Sequence, residues 1–148
     1  MTAAAEALRP PSRTLLLLEG RAVQELGAFM LLRPWLAAAP RGDGHPVLVF
    51  RMDGNQPGVT EFAMQKAEAV ASWHFSTAEM ENAAKETPGF RNAPHVVTVP
   101  GGIPIFSADG TRFIGAVGVS GEAPKDDVAC AEAGVTAAGL SLKANPAR

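Results

Sequence analysis

The chain has 148 residues, of which 47% are hydrophobic and 19% charged, and its formal net charge at pH 7 is −2. This length suits one domain with a single core, and the nearly balanced charge argues against a surface devoted to nucleic acid or anionic lipid. No apolar run approaches the ~20 residues of a membrane-spanning helix, and the N-terminus lacks a secretory signal. The single cysteine excludes an internal disulfide framework and a cysteine-based zinc site. We therefore expect a cytoplasmic protein without nucleic-acid or membrane partners.

In the first third, residues 1–13 are rich in Ala and Pro and are expected to form a flexible tail. Apolar residues near helical spacing predict a helix over residues 15–30. Turn-forming residues predict a loop over 40–46, and the apolar run 47–50 predicts a short strand that continues into Arg51.

The clearest helix is predicted over residues 59–75, because its apolar side chains recur at helical spacing. Lys66 lies within that apolar arc, one turn from both Phe62 and Val70. After it, Ser76 and Glu79 fit a capping box that begins a short helix over 78–85.

The second half reads mainly as extended structure. We predict a loop over 87–94, a strand over 95–99, a break at 100–102, a strand over 103–107 and a return strand over 112–120. Asp109-Gly110 indicates a hairpin of type I′. Because both faces of the return strand are apolar or small, it should lie centrally, and Gly115 and Gly118 suggest close approach of another backbone or a ligand.

A last helix is predicted to begin at Pro124, with Asp126 and Asp127 in its first turn, where they suit the helix dipole. One buried stripe would comprise Val128, Ala131, Val135, Ala138 and Leu142. Residues 143–148 read as a tail, so 14–142 form a single domain. The order of elements predicts an α+β fold with an antiparallel sheet.

Two cations and two histidines are the site residues that the pattern singles out. Lys66 either extends past the core to water or meets an anion or carboxylate. Arg51 leaves a strand just before a glycine-rich loop, where it either meets a ligand or pairs with a nearby carboxylate. His74 and His95 either bind haem iron or are partly exposed structural histidines. The three histidines do not have a short metal-ligand spacing, and no nucleophile elbow, Walker loop or dinucleotide fingerprint is present.

Several segments in order resemble one known family. They are Pro100-Gly-Gly-Ile-Pro-Ile105, the Asp-Gly hairpin, Ile114-Gly-Ala-Val-Gly-Val-Ser-Gly121 and Asp127-Val-Ala-Cys-Ala-Glu-Ala-Gly134, with Arg51-Met-Asp-Gly54 and Lys66-Ala67 before them. Together they resemble the HbpS/GlcG family, often labelled haem-degrading, which includes the C-terminal domain of PduO-type proteins. The resemblance is strongest over residues 51–138.

The resemblance implies a bacterial, homo-oligomeric protein with a profilin-like α+β fold, in which helices flank an antiparallel sheet of about five strands. It also implies a haem or other tetrapyrrole ligand for some members. The N-terminal third departs from the family pattern, since 39–50 looks instead like the opening strand of a lipase-like hydrolase. The sheet would then lack one strand, unless residues 29–36 extend to fill the gap.

Three functions are compatible with these observations. In the first, the protein binds or degrades haem, with Lys66 or Arg51 holding the propionates, His74 or His95 on the iron, and Trp73 in the apolar wall. In the second, a cofactor-free pocket protein or enzyme holds a small carboxylate metabolite through Lys66 and Arg51, and the amides of Gly101 and Gly102 stabilise an oxyanion. In the third, the domain is an oligomeric scaffold.

Overall fold

The computed structural model describes residues 28–32, 46–51 and 55–145 of the chain. These residues form four β-strands and three α-helices. In chain order these elements are the strands β1 (Ala28–Leu32) and β2 (Pro46–Arg51), the helices α1 (Pro57–Trp73) and α2 (Thr77–Glu86), the strands β3 (Gly102–Phe106) and β4 (Phe113–Ser120), and the helix α3 (Pro124–Ala137). The 3₁₀ turn Pro88–Asn92 follows α2. No helix among these residues is long and apolar enough to cross a membrane.

The strands form one antiparallel sheet in the order β2-β1-β4-β3. The predicted mixture of helices with an antiparallel sheet is therefore confirmed. The return strand, β4, lies between β1 and β3, as its apolar faces predicted. The described residues supply four strands, and the expectation of a fifth stays a prediction.

The two long helices, α1 and α3, pack on opposite faces of this sheet. Side chains alternate along each strand, so successive residues contact one helix or the other. On one face, α3 packs against a cluster that comprises Ile103, Ile105, Val117, Val119, Cys130, Ala131 and Val135. On the other face, Ala116 packs against Ala67, Val70 and Ala71 of α1. At Gly118 a Cβ atom would overlap the carbonyl oxygen of Ala63, so only glycine allows α1 to approach the sheet this closely. This confirms the close approach that the sequence suggested at Gly118.

A β-bulge near the start of β4 changes which face one aromatic side chain occupies. Ile105 pairs with Gly115, whereas the next residue, Phe106, pairs with Phe113, so β4 carries one extra residue there. Ile114 packs against the α3 cluster. Phe113 instead contacts Phe106, with ring centroids 5.6 Å apart, and the bulge thereby turns it toward the α1 side.

The N-terminal predictions are confirmed in part. The strand over 47–51 is present as β2. The helix predicted over 15–30 is wrong at residues 28–30, which belong to β1, and residues 15–27 lie outside the described part. The tail at 1–13 and most of the loop at 40–46 also lie outside it. The sequence left open whether residues 29–36 are extended and complete the sheet, and β1 shows that 29–32 are extended and lie between β2 and β4.

Three predictions in the second half are wrong in detail. Residues 95–99 are not a strand, since His95 lies in a turn with φ 54° and residues 96–99 pair with no strand among the described residues. The Asp109-Gly110 hairpin is present, but only Gly110 (φ 74°) is left-handed, whereas type I′ requires positive φ at both central residues. α3 ends at Ala137 instead of reaching residue 142, since the chain turns at Gly139 (φ 72°) and Ser141 then pairs with Phe106.

Candidate functional site

The candidate residues are distributed along α1, which is about 25 Å long for its 17 residues. Arg51 precedes the beginning of this helix, Lys66 lies in its middle, and Trp73 and His74 lie at its end. These three positions have different partners and different exposure.

The ammonium group of Lys66 is buried and paired within the chain. The residue is 1% exposed, and its Nζ donates to Asp127 Oδ2 at 2.9 Å and to the Val119 carbonyl at 2.8 Å. It also lies 5.0 Å from the centre of the Phe62 ring. The expectation that Lys66 extends past the core into water is wrong. The expectation of an anion or carboxylate contact is met by Asp127 of the same chain.

This pair crosses the sheet, because α1 and α3 cover opposite faces and Asp127 lies in the first turn of α3. The crossing point is Gly101, where a Cβ atom would be 2.6 Å from Lys66 Nζ and 2.6 Å from the Val119 carbonyl oxygen. The second carboxylate oxygen of Asp127 accepts the Glu122 amide at 3.2 Å. We call Lys66 and Asp127 the cross-sheet pair.

Burial lowers the pKa of Lys66, and the hydrogen bond and negative charge of Asp127 oppose that shift. The sequence pattern predicted only a helix-dipole role for Asp127 and did not reveal it as the partner of Lys66. A signal was available, because Asp127 precedes the apolar Cys130 and Ala131 by three and four residues and so shares their buried face.

Gly101 and Gly102 lie beside the cross-sheet pair, at the beginning of β3. The Gly102 amide donates to the hydroxyl oxygen of Thr77, 2.9 Å away, at the start of α2. A Cβ atom at Gly102 would be 2.7 Å from the Lys66 carbonyl oxygen. The structure therefore brings both glycines close to Lys66, and it gives the Gly102 amide an internal acceptor.

His74 ends α1 in a left-handed conformation, with φ 64°. Its amide donates to the Val70 carbonyl at 2.7 Å, and its imidazole stacks on the ring of Phe113 with centroids 4.1 Å apart at an angle of 20°. The residue is exposed, and within the described part of the chain its ring nitrogens have no hydrogen-bond partner. The ring is therefore held in one orientation while its nitrogens remain available.

His95, the second candidate histidine, lies at the same end of α1 because Trp73 contacts its turn. Trp73 is 38% exposed, and its Nε1 donates to the Pro94 carbonyl at 3.0 Å, which fixes the turn containing His95 beside the end of α1. The Phe90 ring meets the indole edge-on at 5.2 Å. We call the region formed by Trp73, His74, His95, Phe90 and Phe113 the open end of α1.

Arg51 lies far from this open end. It is the last residue of β2 and is exposed, and it pairs with Ala28, which in turn pairs with Ser120 at the end of β4. The seven residue steps from Ser120 back to Phe113 span about 23 Å. The structure therefore does not bring Arg51 together with His74.

Among residues 28–32, 46–51 and 55–145, no three His, Cys, Asp or Glu residues are grouped so that they could hold a metal ion. A single axial ligand for a metal already held by a porphyrin needs only one nitrogen. His74 and His95 are the histidines within the described residues, and an imidazole can supply one such nitrogen.

A comparison with protein families matches residues 33–136 to the family described as haem degrading protein HbpS-like. No curated protein matches the chain. Among solved structures, a PduOC:heme complex has a TM-score of 0.69 and 20% identity, covering 89% of this chain and 96% of its own.

Two further solved structures share the fold. The Klebsiella pneumoniae protein ORFY, assigned to DUF336, has a TM-score of 0.71 and 20% identity, with 88% of each chain covered. A double mutant of Streptomyces reticuli HbpS has a TM-score of 0.66 and 21% identity, covering 88% of this chain and 83% of its own. At these identities the likeness establishes the fold.

Proposed function

The chain belongs to the haem-degrading HbpS-like family, and from this premise we propose that it binds haem at the open end of α1. The observation that carries the proposal is the imidazole of His74, which stacks on Phe113 and has no hydrogen-bond partner for its nitrogens among the described residues. A related fold has been solved as a heme complex, which supports the same ligand class.

In this proposal His74 would hold the haem iron. An imidazole nitrogen is a common ligand to haem iron, and a ring fixed in advance loses little rotational freedom when it binds. The left-handed backbone and the stack on Phe113 fix this ring. His95, held nearby through the bond between Pro94 and Trp73, is the alternative ligand.

Aromatic side chains supply the apolar surface that a porphyrin needs. Trp73 is 38% exposed and contacts the half-buried ring of Phe90. The half-buried ring of Phe113 stacks on His74. Bound haem would supply redox chemistry at its iron. The chain would supply one imidazole, aromatic contact area and partial exclusion of water.

The alternative ligand, a small carboxylate metabolite, gains no specific support from these contacts. Lys66 already pairs with Asp127, the Gly102 amide already donates to Thr77, and Arg51 lies apart from both. Its test is thermal-shift screening against hydroxy- and keto-acids, in which a stabilisation that is lost in Lys66→Met would favour it over haem.

Titration with haemin tests the proposal, with the Soret band as the readout. We expect wild type to shift this band, and His74→Gly to abolish the shift or to weaken binding at least tenfold. Glycine is the preferred substitution because it favours the left-handed conformation of position 74, so the backbone is not strained by removing the ring. Glu132→Gln, an exposed residue of α3 on the opposite face of the sheet from α1, is the control and should bind as wild type does.

Each other outcome of that titration has a defined meaning. Loss of the Soret shift in His95→Ala but not in His74→Gly would assign the ligand to His95. Absence of any shift in wild type would overturn the proposal. Because the family resemblance implies a homo-oligomer, the same samples are measured by light scattering. A stable multimer that binds neither haemin nor the acids would indicate a scaffold.

A further inference from the structure

The two outer strands of the sheet differ in how their free edges are protected. In the order β2-β1-β4-β3, the strands β2 and β3 each have one side that pairs with no other strand of the described residues. Such an edge presents backbone amides and carbonyls to any strand that can pair with them, and proteins ordinarily block it. The difference between β2 and β3 therefore bears on where another chain can bind.

The edge at β3 is blocked along its length. The Gly102 amide donates to the hydroxyl oxygen of Thr77 at 2.9 Å. Two residues further on, Pro104 has no amide hydrogen to offer. Phe106 and Ser141 then exchange two backbone hydrogen bonds, at 2.9 and 3.1 Å. A further strand therefore finds no free amide at these alternate positions of β3.

The outer edge of β2 presents the backbone groups of Val49. Residues of an antiparallel strand bond alternately to the neighbour on one side and to the neighbour on the other. The Val119 amide donates to the Gly101 carbonyl, toward β3, so the preceding residue, Gly118, bonds toward β1. Gly118 pairs with Met30, and Met30 pairs with Val49. Because Met30 bonds to Gly118, the amide and carbonyl of Val49 point away from the sheet.

The side chains at this edge are apolar and exposed. Val49 is 39% exposed, and Arg51, at the end of the strand, is exposed as well. Pro46 and the β-bulge next to it protect only the beginning of β2. Residues 47–50 carry no charge that would repel a second strand. Of the two edges, β2 is therefore the one that is able to pair with another chain.

We propose that β2 is an interface between two copies of this chain, paired antiparallel about a two-fold axis at Val49. Val49 of one copy exchanges both of its outward backbone hydrogen bonds with Val49 of the other copy. The two four-stranded sheets then become continuous. Arg51 lies about 14 Å along the strand from Arg51 of the other copy, so the like charges are not opposed.

A second copy fits this edge better than an unrelated peptide does. A peptide added to a sheet edge gains its specificity from pockets for its side chains beside that edge. The edge of β2 instead presents an exposed valine, and directly paired residues share one face of a sheet. The same valine in a second copy therefore covers it, and the two-fold axis makes each copy complementary to the other.

Sedimentation velocity over about 1–100 μM protein tests the inference with wild type, Val49→Lys and Ala133→Lys. Wild type should be dimeric, or approach a dimer as its concentration rises. Val49→Lys places two ammonium groups together on the axis and should weaken association at least tenfold. Ala133 is exposed on α3, which packs against β3 and β4, so Ala133→Lys adds the same charge elsewhere and should associate as wild type does.

Cross-linking tests the register of the two strands and does not depend on the folding of Val49→Lys. In Val49→Cys the two Cα atoms face each other at about 5.5 Å, so a short bis-maleimide should link the copies. In Arg51→Cys the separation is about 14 Å, and linking should be at least tenfold slower. Cys130 does not interfere, because it is 7% exposed and burial raises the pKa of its thiol to about 11.

Three results would overturn the inference. The first is a wild-type protein that stays monomeric over the whole concentration range. The second is a Val49→Lys variant that assembles to the same size and with the same affinity as wild type, because association would then use another surface. The third is faster linking of Arg51→Cys than of Val49→Cys, which would exclude an axis at Val49. Haem binding is tested separately by the titration, so failure of either proposal leaves the other standing.

Discussion

Two regions of α1 use polar side chains in opposite ways. The cross-sheet pair is enclosed: Lys66 is 1% exposed and both of its hydrogen-bond acceptors belong to the chain. Eight residues further on, His74 is exposed and its ring nitrogens have no partner within the described residues. A polar residue on an apolar helix face therefore does not by itself mark a ligand site, and spare hydrogen-bonding capacity is the more informative sign.

The energetics of the two regions follow from this difference. A buried ion pair adds little net stability compared with a well-packed apolar pair, but removal of one partner leaves a buried charge without compensation. An exposed imidazole that stacks on one ring contributes little to folding. Substitutions at the cross-sheet pair should therefore act on stability, and substitutions at the open end on binding.

The largest effect is expected from breaking the cross-sheet pair. Asp127→Ala leaves the Lys66 ammonium buried without its carboxylate and should lower the free energy of unfolding by about 3–5 kcal/mol. Lys66→Met should cost a similar amount, whereas the double variant Lys66→Met/Asp127→Leu should recover much of that loss, because no charge then remains buried. Urea denaturation measures all three.

Lys85→Met is the control, because Lys85 pairs with Glu81 at 3.3 Å on the surface of α2 and should change stability by less than about 0.5 kcal/mol. If the single variants lowered the free energy of unfolding no more than this control does, the prediction that Lys66 and Asp127 form a buried ion pair would be wrong. The double variant sharpens the comparison further. If the cross-sheet pair has no role in binding, the folded double variant should bind haemin as wild type does.

A smaller loss is expected where the pair crosses the sheet. Gly101→Ala places a methyl group 2.6 Å from both Lys66 Nζ and the Val119 carbonyl oxygen, at a backbone φ of 129° that other residues rarely adopt. We expect a loss of about 2–3 kcal/mol, also measured by urea denaturation. Gly89→Ala is the control, since nothing lies within 4 Å of its added Cβ atom. Equal stability of the two variants would show that Gly101 is not a crowded crossing point.

Much of the fold could be predicted because its signals are local. The capping box of Ser76 and Glu79 forms as expected, since it depends only on four consecutive residues. Proline at the beginning of α3 and the apolar faces of β4 were equally informative. The predicted strand over 95–99 failed because β-branched residues favour extended structure only where a neighbouring strand can pair with them.

The site was less predictable, because its contacts join residues distant in sequence. Periodicity placed Lys66 on the buried face of α1, but its partner Asp127 is 61 residues away. The stack of His74 on Phe113 depends on the β-bulge in β4, which no local pattern revealed. The sequence could therefore identify which polar residues were unusual, and it could not show which of them were already satisfied.

The smallest effect concerns the hairpin loop between β3 and β4, and it appears as a pH dependence. The pKa of Asp109 is lowered from 3.8 to about 2, first by the hydrogen bond from the Ser107 hydroxyl and then by those from Thr111. Because the folded chain holds the ionised carboxylate more strongly than the unfolded chain, this contribution to stability is fully present above pH 3.8. It is lost as the pH falls toward 2.

Asp109→Asn should therefore flatten the pH dependence of stability between about pH 4 and 2, relative to wild type. Glu132→Gln, which removes an exposed carboxylate of α3, is the control and should keep the wild-type slope in that window. Thermal denaturation at a series of pH values gives the slopes, and hydrogen exchange at the Thr111 amide reports the hairpin itself. If the exchange rate at Thr111 followed global unfolding at every pH, the carboxylate would not be holding this loop independently. The hairpin loop would then unfold together with the core of the protein instead of opening on its own.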